Sequence, residues 1–491
     1  MDAESLYNIK TERTFTPIRK YAWIFTLTVA IGGLWYPRLG LLVIPVIIGL
    51  SLTALFKGRF WCGNICPHGS LFDSLLMPIS KNIKIPDFLR NKYLRAAVFA
   101  FFVFQISRKL ISASRFFGEA PFWDKVGFIF VTSYLMVTIM GGAVTLFVSP
   151  RTWCQFCPMG TMQILMYRLG KALGITRYTD EKVTAVTEDM CHECGTCARV
   201  CPMQLDPFLE FSEKGQLDNE LCIRCRTCVE HCPAGILELE TEPKAIEDIE
   251  SVDITGYEKK QPVLASIEKI EELNDKIREY TFRLEDPDVV DIIPGQFFLV
   301  KVSDEHEMYR AYSASGIEEE GSILKATIMK KEGGYGTTII FNDFEEGDEV
   351  ELKAPMGNEL VIDKEASDVL LVGGGIGITP FVTIVEDLVE NDHNINNVKL
   401  IYGVNHEKEF VYKDKFEEFA EKADEFEFIP VVAFDDDWEG EKGFVTDVMD
   451  KMDLHKYKIY MCGPGAMENA ARDLLEEKDI PEEQIFVEAT G

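Results

Sequence analysis

Four apolar runs open the chain. Residues 21–36 and 39–56 are divided only by Pro37-Arg38, residues 94–113 are interrupted by Arg95 and by Arg108-Lys109, and residues 126–149 are clear of charge. Each approaches the roughly 20 residues that cross a bilayer, and basic residues near the ends can snorkel to the interface. The pattern predicts a four-helix transmembrane domain over residues 1–178. Arg13, Arg19 and Lys20, then Lys57, Arg59, Lys81, Lys84, Arg90 and Lys92, then Arg151, Arg168, Lys171 and Arg177 fall on one side of these spans. By the positive-inside rule that side, with both termini, is cytoplasmic. Beyond residue 178 the period changes. Residues 237–262 are acidic and aperiodic and read as a linker. From 263 to 364, β-type runs such as EYTFRLE, QFFLVKV and ILKATIMK alternate with turn residues, which predicts a small antiparallel β-barrel. Over 365–491, strands (VLLVGG, VKLIYG, FEFIPVVA, KIYMCG) alternate with helical stretches at 379–390, 412–422 and 465–477. That is the pattern of a parallel α/β domain.

Charge sharpens the division. Residues 1–177 carry 20 Lys and Arg against 7 Asp and Glu, a net +13, while residues 178–491 carry 30 against 74, a net −44. A basic membrane part is thus joined to an acidic, well-solvated part, which disfavours nucleic acid as a partner. No cleavable signal peptide is expected, because the polar start with Asp2, Glu4 and Glu12 lacks a signal's layout. Twelve of the 13 cysteines fall in metal-type motifs. The pattern is not a disulfide framework, so the soluble part is expected in a reducing compartment.

Residues 179–236 hold two matching runs, Cys191-x2-Cys194-x2-Cys197-x3-Cys201-Pro202 and Cys222-x2-Cys225-x2-Cys228-x3-Cys232-Pro233. This is the spacing of a bacterial two-cluster ferredoxin, in which the fourth cysteine of each run serves the other cluster. Cys191, Cys194, Cys197 and Cys232 are therefore assigned to one [4Fe-4S] cluster, and Cys201, Cys222, Cys225 and Cys228 to a second, in an α+β ferredoxin domain. Paired C-x2-C motifs also bind zinc, but two complete four-cysteine runs favour iron–sulfur. A second repeat lies in the membrane part. Arg59-Phe-Trp61-Cys62-x3-Cys66-Pro67-His-Gly69 recurs as Arg151-Thr-Trp153-Cys154-x2-Cys157-Pro158-Met-Gly160. Duplicated units of this kind suggest a pseudo-two-fold arrangement. The four thiols Cys62, Cys66, Cys154 and Cys157 are then expected to share one further iron–sulfur centre, [2Fe-2S] or [4Fe-4S], with Arg59, Arg151, Trp61 and Trp153 as interface anchors. None of the seven histidines, His68, His192, His231, His306, His393, His406 and His455, lies inside an expected span, so no haem is expected.

The W-C-x3-C-P and W-C-x2-C-P motifs among four spans, followed by the two ferredoxin runs, resemble the membrane polyferredoxins. These are accessory proteins of nitrate and nitrous-oxide respiration and related systems. The resemblance covers roughly residues 20–235 and implies electron delivery rather than a defined substrate.

Residues 258–491 resemble the ferredoxin-NADP reductase superfamily. Arg310-Ala311-Tyr312-Ser313 matches its R-x-Y-S signature, although the family often has Pro in place of Ala311. The resemblance implies that Arg310 pairs with the FAD pyrophosphate, Tyr312 stacks on the isoalloxazine and Ser313 bonds near N5. Pro294-Gly295-Gln296-Phe297 matches the strand opening. Gly333, Gly334, Gly336 and Thr337 form a phosphate-cradling turn, where glycine lets backbone N–H groups approach oxygen. Gly373-Gly374-Gly375-Ile376-Gly377-Ile378-Thr379-Pro380 departs from G-x-G-x-x-G, with Ile378 at the third glycine. It matches the superfamily's G-G-G-x-G-x-x-P, which implies that Gly373, Gly374, Gly375, Gly377, Thr379 and Pro380 receive the dinucleotide. Cys462-Gly463-Pro464 matches the C-G-P turn, which sets Cys462 beside the hydride path. Glu488 matches half of the family's terminal E-x-F-x ending. Tyr312, Ser313 and Cys462 are the expected catalytic residues.

These readings imply a multidomain, multi-pass protein of the cytoplasmic membrane, with its ferredoxin and flavin domains on the cytoplasmic side. The expected function is electron transfer between NAD(P)H, FAD, two [4Fe-4S] clusters and a membrane iron–sulfur site, with a quinone or a redox protein as partner. The alternatives are a reductive activation or maturation protein serving the metal centre of a client, and a redox sensor. Intact FAD and nicotinamide motifs weigh against the sensor.

Overall fold

The computed structural model describes residues 7–363, 365–391, 393 and 395–488. The chain divides into two compact units. One comprises Met1–Glu188 and Gly195–Val252; the other comprises Asp189–Cys194 and Asp253–Gly491.

In the first unit, three helices among the described residues are long and apolar enough to cross a membrane: Pro37–Lys57, Lys92–Ser114 and Phe122–Phe147. Phe101, Phe104, Ile111, Ile139 and Phe147 lie exposed along the last two. The expected first span, residues 21–36, is not among these three, being divided into shorter helical pieces. Residues 21–36 form a short helix, Trp23–Ala30, and then a 3-10 turn, Gly32–Leu34. Gly32 and Gly33 are poor helix formers, and Pro37 disfavours helical backbone at Tyr36. Glycine also sets the packing: a Cβ on Gly40 would stand 2.0 Å from the carbonyl oxygen of Gly127, and one on Gly127 would stand 2.1 Å from that of Pro37. Small residues permit such close backbone crossings in membrane bundles.

Beyond these helices the unit carries Lys182–Ala185 paired antiparallel with Leu237–Glu240. Short helices Thr196–Arg199 and Thr227–Glu230 follow left-handed residues Gly195 and Arg226, at matching places in the two cysteine runs. Residues 237–251 differ from the expected linker. They form the strand just named and helix Glu242–Ser251, with Ala245 fully buried.

Among the described residues the second unit has two sheets. The first is antiparallel, of seven strands in the order Met308–Ser313, Phe297–Ser303, Glu349–Met356, Gln261–Asn274, Ile277–Asp286, Ile323–Met329, Gly316–Glu318. The second is parallel, of six strands in the order Glu441–Lys442, Phe426–Val432, Asn397–Val404, Asp368–Gly374, Lys458–Cys462, Ile485–Val487. Its helices include Thr379–Glu390, Lys413–Lys422 and Gly465–Glu477. Val369 and Leu371 enter one apolar core while Leu370 and Val372 enter another, so both faces are covered, as a parallel sheet requires.

Candidate functional site

Strand order in the parallel sheet reverses at Asp368–Gly374. The chain runs outward through Asn397–Val404 on one side and returns to Lys458–Cys462 on the other. Ligands of open α/β sheets bind outside the carboxyl ends of strands at such a switch point. Both expected dinucleotide motifs end there, with Gly373 in register with Cys462. A Cβ on Gly377 would stand 2.4 Å from the Cys462 carbonyl oxygen and 2.6 Å from the Gly463 Cα. The two turns therefore cross so closely that only glycine fits. Thr379 and Pro380 open helix Thr379–Glu390 at the same place, with Pro at its first turn.

Strand Met308–Ser313 carries Arg310, Tyr312 and Ser313, with Tyr312 opposite Phe298 and Ser313 opposite Phe297. Ser313 Oγ donates to Glu488 Oε2 at 3.0 Å, and the Cys462 thiol lies 3.9 Å from the same oxygen. Burial holds the Cys462 thiol well above its ordinary range, with the Glu488 charge adding to the effect. The Glu488 carboxyl is itself pushed up to about 7, first by loss of solvent. Ser313, Cys462 and Glu488 thus form a cluster able to hold or release one proton near neutral pH. Glu488 was legible only as half of a terminal motif; its partner Ser313 lies 175 residues away. Residues 489–491 lie outside the described residues.

Gly333 has φ +69°, and Gly334 caps helix Tyr335–Asp343, which brings Gly336 and Thr337 into its first turn. The Arg310 side chain crosses this helix start: a Cβ on Gly336 would meet it at 2.8 Å. A guanidinium beside helix N–H groups suits a pyrophosphate. The donor set therefore fits FAD, with Arg310, Gly333, Gly334, Gly336 and Thr337 toward its phosphates. Arg310 Nη1 also donates to the Cys194 carbonyl at 2.8 Å and to its neighbour Tyr309 at 2.6 Å.

Of the ferredoxin cysteines, Cys201, Cys222, Cys225 and Cys228 line one cavity with the apolar side chains of Val183, Met203, Leu205, Leu217 and Ile223. Burial pushes Cys201 up to about 12 and Cys228 well above its ordinary range, with neighbouring thiols adding to both effects. The N–H of Leu205 points at Cys201 Sγ at 3.5 Å. Four thiols converging in an apolar cavity suit a metal centre that takes thiolates. Cys191 and Cys194 belong to the unit of the flavin sheet, and Cys197 and Cys232 to the other unit.

The repeat that holds Cys62, Cys66, Cys154 and Cys157 is knit by exchange of arginines. Arg59 Nη2 donates to the Cys154 carbonyl at 3.0 Å, and Arg151 Nη1 donates to the Cys62 carbonyl at 2.9 Å. Each guanidinium packs on the other repeat's glycine: a Cβ on Gly160 would meet Arg59 at 2.8 Å, and one on Gly69 would meet Arg151 at 2.4 Å. Cys66 lies within electrostatic reach of Cys62 and Cys154, and Cys157 within reach of Cys154 and Cys62. Gln163 Nε2 donates to Cys62 Sγ at 3.1 Å. The expectation that Arg59 and Arg151 anchor the interface is corrected. Both are 1% exposed, because their partners lie inside the fold.

Asp73 was not foreseen. It is fully buried, bound by Arg151 at 3.2 and 2.6 Å and by Arg19 at 3.1 Å. Arg19 also donates to the Cys225 carbonyl at 3.0 Å. Buried Arg13 lies within electrostatic reach of Asp73, Cys201 and Cys225. Three guanidiniums around one carboxylate leave a buried charge of +2, and Nε of Arg13, Arg19 and Arg59 have no hydrogen-bond partner among the described residues. Thiolate-ligated iron–sulfur centres are anionic and accept N–H bonds at sulfur, so the cysteine-rich interior fits such groups. A Cβ on Gly63 would stand 2.1 Å from the Ile223 carbonyl oxygen and 3.3 Å from Cys225 Cβ. The Cys62 turn thus touches the Cys222–Cys225 loop.

Comparison with known proteins agrees in order along the chain. Residues 39–86 and 131–176 each match the 4Fe-4S binding domain, and residues 184–233 the 4Fe-4S dicluster domain. Residues 264–359 match the oxidoreductase FAD-binding domain, and residues 371–473 the oxidoreductase NAD-binding domain. The chain is 27% identical over 248 residues to the toluate 1,2-dioxygenase electron transfer component of Pseudomonas putida, covering 50% of this chain and 70% of that protein. It is 27% identical over 230 residues to the reductase component of the naphthalene 1,2-dioxygenase system of Pseudomonas putida, covering 46% of this chain and 68% of that one. The ferredoxin reductase in carbazole 1,9a-dioxygenase aligns with a TM-score of 0.42 and 23% identity, over 51% of this chain and 73% of that chain. The chain is an NAD(P)H-dependent FAD and iron–sulfur oxidoreductase, with ferredoxin-type 4Fe-4S domains preceding its reductase domains.

Proposed function

We propose that this protein is a membrane-bound oxidoreductase of membrane-polyferredoxin type. It moves electrons between NAD(P)H and a quinone or redox-protein partner, by way of FAD, two [4Fe-4S] clusters and an iron–sulfur site at Cys62, Cys66, Cys154 and Cys157. A flavin accepts a hydride as two electrons and releases them singly, and iron–sulfur centres carry them one at a time. The protein's own residues bind and orient these groups. Gly373, Gly374, Gly375, Gly377, Thr379, Pro380, Gly463 and Pro464 seat the dinucleotide at the switch point, Tyr312 covers the flavin ring, and Ser313, Cys462 and Glu488 manage the proton beside it. The two ferredoxin clusters take Cys191, Cys194, Cys197 with Cys232, and Cys201 with Cys222, Cys225 and Cys228. The ferredoxin and flavin domains face the cytoplasm.

The observation that carries the link between the Cys62–Cys157 site and the ferredoxin is the buried chain Cys154–Arg151–Asp73–Arg19–Cys225, together with the Gly63 contact. It couples the repeat's thiols to the ferredoxin loop and supplies positive charge to both. Steady anaerobic NADH oxidation by the membrane-inserted protein with a short-chain quinone is the test. Turnover supports the oxidoreductase reading. Strict dependence on one protein client would replace it with reductive activation of that client.

A further inference from the structure

The flavin unit includes a piece of the first cysteine run, Asp189–Cys194, and four of its residues are held by contacts to the rest of the unit. Met190 packs into the apolar cluster of Tyr257, Phe297, Leu299, Tyr309 and Met356. The His192 ring meets Phe297 edge-on at 5.2 Å. Glu193 is left-handed, at φ +48°, as is Arg224 at the matching place in the second cysteine run, at φ +52°, so the turn belongs to the cysteine loop and the contacts to the flavin sheet are added to it. Its carbonyl accepts from the Tyr309 N–H at 3.1 Å, and its carboxylate takes Lys353 at 2.6 Å with Lys260 at 3.9 Å. Lys353 lies 4.5 Å over the Tyr309 ring. Next in the chain, the Cys194 carbonyl receives Arg310, which also crosses the helix start suited to the FAD phosphates.

These contacts fasten a ferredoxin loop to the flavin-binding strand Met308–Ser313. The Tyr309 N–H bonds the Glu193 carbonyl and the Arg310 side chain bonds the Cys194 carbonyl, so two successive residues of each segment are joined. The N–H of Glu193 points at Cys191 Sγ at 3.4 Å, so the clamp also sets the direction of that thiol. A ferredoxin segment needed only for its own cluster has no reason to be locked to a signature strand of another domain. Rigid placement of donor and acceptor is what a transfer step requires.

We propose that Met190–Cys194 is the electron exit of the flavin domain, with Glu193, Lys353 and Arg310 as positioning residues that hold the Cys191 and Cys194 thiols against it. The cluster that takes these thiols is then the first acceptor of electrons from the flavin. The balance is one NADH and two oxidised clusters giving NAD+, two reduced clusters and one proton, with each cluster taking one electron. This rests on the reading that flavin and clusters exchange electrons.

The test uses the full-length, cofactor-loaded protein and three variants: Glu193→Gln, Lys353→Gln and the charge swap Glu193→Lys with Lys353→Glu. Anaerobic stopped-flow separates bleaching of the flavin by NADH from bleaching of the clusters, and EPR redox titration reads each cluster's potential. The two single variants are expected to keep FAD content and the flavin phase, and to slow the cluster phase by roughly tenfold or more. They should also shift the potential of one cluster only, and the swap should recover both readouts in part. An unchanged cluster phase and potential would overturn the proposal, as would loss of FAD, which would make the clamp a flavin-binding device. Absence of any cluster phase in the wild type would instead overturn the underlying reading.

Discussion

Replacing Asp73 by asparagine removes one negative charge and almost no volume. Asp73 has no solvent exposure, and the side chains of Arg19 and Arg151 are 3% and 1% exposed. Its carboxyl is held well below the usual carboxylate range by these two guanidiniums against the cost of burial. It therefore stays charged above the ordinary carboxylate range, and its contribution disappears only in strong acid. In the Asp73→Asn variant the local charge rises from +2 to +3, and both guanidiniums lose their charged acceptor. Breaking a buried pair from one side costs about 3–5 kcal/mol. For a unit of this size that corresponds to a fall in Tm of roughly 10 °C. Five of the six tryptophans, Trp23, Trp35, Trp61, Trp123 and Trp153, lie in the first unit, and Trp438 in the second. In a Trp438→Phe background, thermal unfolding followed by tryptophan fluorescence in detergent reports the first unit alone. Asp73→Asn is expected to lower that transition and leave flavin release unchanged. Adding Arg151→Gln should cost less than the sum of the single changes, because the pair is coupled. A shift within about 1 °C for Asp73→Asn, too small for the buried-pair cost, would refute the role assigned to the network.

Three further outcomes are expected. Arg310→Ala loses most of the bound FAD, read as flavin per protein after gel filtration; full occupancy would remove Arg310 from the phosphate site. The rate of flavin reduction by NADH rises as pH passes about 7, where Glu488 ionises, because a carboxylate stabilises the positive charge developing on nicotinamide. Glu488→Gln flattens this profile. Since the native state keeps a proton that an unfolded carboxyl releases earlier, Glu488 also makes stability fall with rising pH between the ordinary carboxylate range and about 7. NADH is used with a higher kcat/KM than NADPH. Glu407 follows strand Asn397–Val404, and its N–H is held by Asp435 at 2.6 Å, so two carboxylates oppose a 2′-phosphate; equal or better use of NADPH contradicts this.

The motifs of the candidate site stand out in the sequence because their chemistry demands fixed spacings. Thiolate ligands of a cluster sit in short runs, and glycine turns that admit phosphates stand next to one another in the chain. What stayed hidden depended on distant partners. Arg151 beside Trp153 at the end of a span reads as an interface anchor, but Asp73, 78 residues earlier, draws it inward. Residues 237–251 look like an acidic linker, because their strand is stabilised by Lys182–Ala185 and their helix buries little more than Ala245. The run at 21–36 has the hydropathy of a span, yet Gly32 and Gly33 end its helix early. The docking of Met190–Cys194 on the flavin sheet is likewise invisible in a cysteine pattern that is regular without it.

The proposed electron route depends on one iron–sulfur centre completed by both membrane repeats. Iron content and low-temperature EPR of the NADH-reduced protein, on wild type, Cys66→Ser and Cys157→Ser, provide the decisive test. Iron in excess of two [4Fe-4S] clusters and a third signal are expected in the wild type. Each single change should abolish that same signal and leave both ferredoxin clusters intact. Iron for two clusters only, or separate signals lost one by each variant, would contradict a shared site.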